Sequence, residues 1–76
     1  MNVILSRFGQ RLKQIRTQQR LSQEQLAEIC ELDRTYISGI ERGVRNVALI
    51  NIVKLANGLK VSASSLLEFD VETKHD

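Results

Sequence analysis

The chain contains no proline and no tryptophan, and only one cysteine, two phenylalanines and one tyrosine among its 76 residues. Each shortage excludes something. A lone Cys30 rules out an intrachain disulfide, points to a reducing compartment, and reads as a buried structural thiol because it lies in an apolar helical pattern. With aromatics at 4% the core must be built from Leu, Ile, Val and Ala, which suits helices packed on helices. The only histidine, His75, stands near the C-terminus, and no Cys or His cluster has metal-ligand spacing. No glycine loop has phosphate-binding spacing, so catalysis, cofactors and small-molecule ligands are not expected. No apolar run approaches the length of a membrane span, and Met1 to Leu5 is too short for a secretory core, so a cytoplasmic protein is expected.

What is present is charge in blocks. Residues 1–20 carry five basic residues and no acid, and residues 34–60 carry five basic residues against Glu41 alone. Between them lie Glu24, Glu28, Glu31 and Asp33, and the last nine residues are acidic on balance. The net charge is only +2, but this alternation can show a polyanion a positive face. The alternative is charge dispersed for solubility.

A length of 76 residues fits one domain with no room for a catalytic one. The pattern predicts an all-α, compact five-helix domain. Phe8, Leu12 and Ile15 share a face of a first helix over about 6–19, capped by Ser6. Ser22 followed by Gln25 is a capping-box pattern opening a second helix over about 23–30 with Leu26, Ala27 and Ile29 or Cys30 inward. Asp33 caps a third over 34–42, with Ile37 and Ile40 facing the core, and Gly43 stops it. Asn46 is read as the cap of a fourth helix over about 47–58 ending at Gly58, and Ser62 as the cap of a fifth over 63–69. Residues 70–76 are read as a frayed tail.

Two short helices joined by a tight turn, the second opening on polar exposed residues, match the helix-turn-helix plan over about 22–43. A major groove about 12 Å wide admits one helix, whose first residues must be long or hydrogen-bonding to reach base edges. Arg34, Thr35 and Ser38 lie opposite Ile37 and Ile40. Arg34 can fork onto guanine, and Thr35 can pair with a base or touch a thymine methyl. The fourth helix is apolar nearly all round, with Leu49, Ile52 and Ala56 on one stripe and Ile50 and Val53 on another. A small monomer cannot bury both, so Leu49, Ile50 and Val53, joined by Leu66 and Phe69, are expected to pair two copies through helices over about 47–69. The homodimer would set two reading helices about 34 Å apart on a palindromic site.

The run Leu21-Ser22-Gln23-Glu24-Gln25-Leu26-Ala27, followed by Asp33-Arg34-Thr35-Tyr36-Ile37-Ser38-Gly39-Ile40-Glu41-Arg42-Gly43, resembles the phage-repressor and Cro-type helix-turn-helix family with its lambda-repressor-like fold. The segment Leu32 to Asn46 is more narrowly similar to the controller proteins of restriction-modification systems. The resemblance implies that Gln23 holds a phosphate of a double-stranded DNA operator, that Arg34, Thr35 and Ser38 read bases, and that Tyr36 lies near the backbone or a flexible step. It implies that Arg42, Arg45 and Asn46 clamp phosphates and that Arg16 and Glu41 form a structural salt bridge. Gly39 departs from repressors that carry a reading side chain there, which shifts readout to Arg34, Thr35 or DNA shape. Glu24 and Glu28 match an acidic patch facing RNA polymerase, against the simpler reading that they favour the helix N-terminus. The implied function is a transcriptional regulator that activates its own operon at low occupancy and represses it at higher occupancy. A phage repressor or antitoxin of the same fold is the nearest alternative; a protein-interaction module without DNA binding is one of another class.

Overall fold

The computed structural model describes residues 2–70; the proposed tail beyond Asp70, with His75, lies outside them. The described residues form five helices and no strand: α1 (Val3–Gln18), α2 (Gln23–Cys30), α3 (Arg34–Glu41), α4 (Leu49–Leu59) and α5 (Ala63–Leu66). None is long and apolar enough to cross a membrane.

Local chemistry explains where most helices begin. Ser22 accepts the Gln25 amide while Gln25 returns its side chain to the Ser22 amide, so two free donors of the α2 start are satisfied together. Asp33 accepts the Thr35 amide at α3, and Ser62 accepts the Ser65 amide at α5. At the end of α3, Gly43 takes a left-handed φ of 76°, and its amide and that of Val44 close back on Ile40 and Gly39.

Four boundaries differ from expectation. α1 starts at Val3 rather than Ser6, because the Asn2 side chain accepts the Ile4 and Leu5 amides at 2.8 and 3.2 Å and caps the helix a turn earlier. Asn46 caps nothing: residues 44–48 stay non-helical, and α4 begins after Ala48 with no side-chain cap. Gly58 does not stop α4, since the fully buried Leu59 carries the helix on and Lys60 takes the left-handed turn at φ 58°. α5 is only one turn, ending at Leu66, and Phe69 folds back beyond it.

The core gathers Phe8, Leu12 and Ile15 of α1, Leu26 of α2, Ile37 and Ile40 of α3, and Leu55 and Leu59 of α4. α1 crosses α3 so closely that a Cβ on Gly9 would lie 2.2 Å from the Ile40 carbonyl oxygen. Of the two α2 candidates, Cys30 is buried and Ile29 is exposed. Burial pushes the Cys30 thiol above its ordinary pKa, partly offset by Lys54, so it stays protonated at neutral pH.

Candidate nucleic-acid interface

The exposed face of α3 is short. Arg34 and Thr35 are exposed, Ser38 is half-buried, and Ile37 and Ile40 turn fully into the core. Asp33 fixes the N-terminal end: one carboxylate oxygen accepts both the Thr35 amide at 2.8 Å and the Thr35 hydroxyl at 2.5 Å. The Thr35 hydroxyl, then its amide, and the charges of Arg34 and Arg45 hold the Asp33 carboxyl below the usual carboxylate range.

Arg45 packs against the glycine at position 39. A Cβ there would come within 2.6 Å of the Arg45 Cγ, so the arginine stem runs across Gly39 where a longer residue would place a side chain. Its guanidinium carbon reaches 5.8 Å from the centre of the Tyr36 ring, a cation–π distance. On the other side, Asn51 Nδ2 of α4 donates to the Tyr36 hydroxyl at 3.1 Å. Tyr36 is therefore half-buried and held at both ends. Arg42 caps α3 at its C-terminal end, and Arg42 and Asn46 are exposed in the segment that follows.

Gln23 is not free at the α2 start. Its amide donates to Glu41 Oε1 at 3.0 Å, and the same carboxylate takes two hydrogen bonds from Arg16, from Nε at 2.6 Å and from a terminal nitrogen at 2.8 Å. The other terminal nitrogen of Arg16 donates to the Leu21 carbonyl at 2.7 Å. Both charged side chains are almost wholly buried, at 9% and 3% exposed. The bonds to Glu41 raise the Arg16 pKa against the opposing effect of burial, so the guanidinium remains charged. This network joins α1, the start of α2 and the end of α3, and places Gln23 beside α3. The first basic block is thus partly structural: Arg11 also turns inward, donating to the Ser65 carbonyl and pairing with Glu68 at 3.4 Å.

Glu24 and Glu28 are exposed on α2, Glu24 in its first turn. On α4, Leu49 and Ile50 are 74% exposed and Val53 42%, whereas Ile52 and Ala56 turn toward the core with Leu55. Leu66 cannot join this patch, because it is fully buried within its own chain. Phe69 is half-buried, edge-on to Phe8 with ring centres 6.5 Å apart, so most of its surface is already used. Among the described residues no His, Cys, Asp and Glu group could hold a metal.

Two contributors escaped the sequence reading. Asn51 had no local signal, since its partner Tyr36 lies fifteen positions away. The grip of Asp33 on the Thr35 hydroxyl was signalled by the spacing of an acid two positions before a threonine, a common local turn.

A helix-turn-helix family model matches residues 12–66. The control protein C.BamHI of Bacillus amyloliquefaciens is 54% identical over 63 residues, covering 82% of this chain and 78% of its own. The crystal structure of the restriction-modification controller C.AhdI from Aeromonas hydrophila superposes with a TM-score of 0.81 at 53% identity, covering 82% of this chain and 94% of that one. The controller C.Esp1396I, solved as a tetramer on its natural 35 base-pair operator, superposes at 0.82 with 40% identity and 90% coverage of each chain.

Proposed function

The chain belongs to the helix-turn-helix family, among its restriction-modification controller proteins, and on that premise we propose that it binds a two-fold symmetric operator as a homodimer and regulates its own operon. It is a DNA-binding transcriptional regulator. The observation that carries the finer reading is the exposed pair Arg34 and Thr35 at the start of a rigidly capped α3, flanked by exposed Arg42, Arg45 and Asn46. Long donors at a helix start reach base edges, and cations beside it neutralise phosphates.

In this reading Arg34, Thr35 and Ser38 read bases, Gln23, Arg42, Arg45 and Asn46 position the backbone, and Tyr36 contacts the backbone or a flexible step. The Tyr36 hydroxyl accepts from Asn51 and so keeps its own hydrogen for a phosphate oxygen. Leu49, Ile50 and Val53 form the dimer surface. The exposed Glu24 and Glu28 are free to meet RNA polymerase when the dimer activates.

Gel shifts with DNA from upstream of the gene test the binding directly. Sequence preference and an affinity falling steeply with salt are expected, because each phosphate contact releases a counterion. Salt-insensitive, sequence-blind association would rule the reading out. In transcription with purified polymerase, the double change Glu24→Gln and Glu28→Gln should leave operator affinity intact and abolish activation; full activation would remove the polymerase role.

A further inference from the structure

A threonine at a base edge is ambiguous, because its hydroxyl can donate one hydrogen or accept through its lone pairs. Here the ambiguity is removed inside the protein. Thr35 Oγ1 lies 2.5 Å from the Asp33 Oδ1 atom that also accepts the Thr35 amide at 2.8 Å. An ionised carboxylate only accepts, so the hydrogen between these two oxygens belongs to Thr35. The separation is that of a charge-assisted bond, the stronger kind. Asp33 is exposed and its carboxyl is held below the usual range, so it stays ionised wherever the protein works. Fixing Oγ1 also fixes the methyl, since both hang on one branched carbon.

We infer that Thr35 meets DNA only as a hydrogen-bond acceptor, selecting the exocyclic amino group of adenine or cytosine in the major groove, and that Asp33 is the positioning residue that imposes this polarity. The inference rests on Thr35 being a base-reading residue. In the major groove only adenine and cytosine donate through amino groups, whereas guanine offers two acceptors there and thymine one acceptor and a methyl. Arg34, which can only donate, therefore suits guanine, and its neighbour Thr35 suits the opposite chemistry. Two adjacent side chains thus divide the bases by hydrogen-bond sign. Without the Asp33 contact, Thr35 would tolerate either.

The test uses a duplex that the protein itself enriches from a randomised library, with changes made on the DNA so that protein folding is not at issue. Each adenine is replaced in turn by unsubstituted purine, and each cytosine by the pyrimidinone lacking its amino group. Dissociation constants are measured for the wild type, Thr35→Val and Asp33→Gly. Valine keeps the methyl and loses the hydroxyl; glycine at position 33 removes the oxygen that holds the hydroxyl hydrogen and is itself tolerated at a helix start. Deleting one amino group per half-site should weaken the wild type about 3- to 10-fold, the effect of one ordinary hydrogen bond, and should not weaken Thr35→Val further. Asp33→Gly should lose discrimination at that same base pair while its discrimination at the others is unchanged; a merely structural cap would weaken all sequences alike. If the Thr35→Val loss is instead coupled to acceptor deletions, such as deazaguanine, Thr35 reads bases but the polarity is wrong. If Thr35→Val binds every duplex as the wild type does, both the base-reading role and the inference fall.

Discussion

A side chain's effect on DNA depends on where it stands on its helix, and the two arginines at the ends of α3 differ in that respect. Arg34 stands exposed at the first position of α3, so Arg34→Ala should cost about 1–3 kcal/mol at one base pair and relax specificity there. Arg42 caps the other end, and Arg42→Ala should weaken all sequences alike and reduce the salt slope by about one. Titrations of matched and single-mismatch duplexes at several salt concentrations separate the two patterns, and equal behaviour would show that α3 does not enter the groove by its N-terminus. Asp33 makes a prediction about pH. Its carboxyl has a lower pKa folded than unfolded, so it contributes stability that is complete above about pH 4 and lost as pH falls through the folded value. Asp33→Asn has no such group. In urea unfolding, the wild type's advantage over Asp33→Asn should be widest at neutral pH and shrink below about pH 4. A constant difference across that range would mean that Asp33 contributes only as a neutral cap.

At the scale of elements, the controlling contact is the crossing of α1 over α3. Helix propensity alone favours Gly9→Ala by up to about 1 kcal/mol in the middle of α1. The Ile40 and Glu41 carbonyl oxygens, at 2.2 and 2.8 Å from where that methyl would sit, decide the other way, because both are backbone and cannot swing aside. Pushing α1 off α3 would also strain the Arg16–Glu41 pair that bridges them. We expect a net loss of about 1–3 kcal/mol, lowering the thermal midpoint by at least about 5 °C in a circular dichroism melt. A raised midpoint would contradict so close a crossing. The same elements show what a sequence can and cannot tell. The caps of α2, α3 and α5 were legible because Ser22, Asp33 and Ser62 each bond an amide two or three residues away. The start of α4 was not, since Ala48 offers no side chain and Asn46 supplied a false signal. Ile37 and Ile40 followed from helical period, but the assignment of Leu66 to an interface failed because period cannot say which core an apolar residue joins. Contacts such as Gln23 with Glu41, or Tyr36 with Asn51, depend on how helices are placed, which spacing along the chain does not encode.

At the scale of the molecule, the proposed reading gives each chain one helix with two or three base contacts, too small a device to find a site in a genome, and the geometry of α4 bears on how it would be doubled. Leu49 and Ile50 project into solvent at the end of α4 that follows the α3 segment, while Asn51 between them and Val53 turns back to bond Tyr36 of α3. A two-fold axis through this patch would bury apolar surface from both copies and, through Asn51 and Tyr36, hold each α3 rigidly relative to the interface. The spacing of the two reading helices would then be set by the fold rather than by the DNA. Because Ile50 is 74% exposed, Ile50→Glu leaves the chain's own core intact, yet in a dimer it brings two like charges into an apolar contact. The variant should keep its helical spectrum, sediment as a monomer where the wild type sediments as a dimer, and bind a palindromic duplex about 100-fold or more weaker. On a single half-site, where pairing brings no advantage, wild type and variant should bind equally. A variant that still sediments as a dimer would move the interface away from α4; one that sediments as a monomer but keeps full affinity for the palindrome would mean that specificity resides in the single domain.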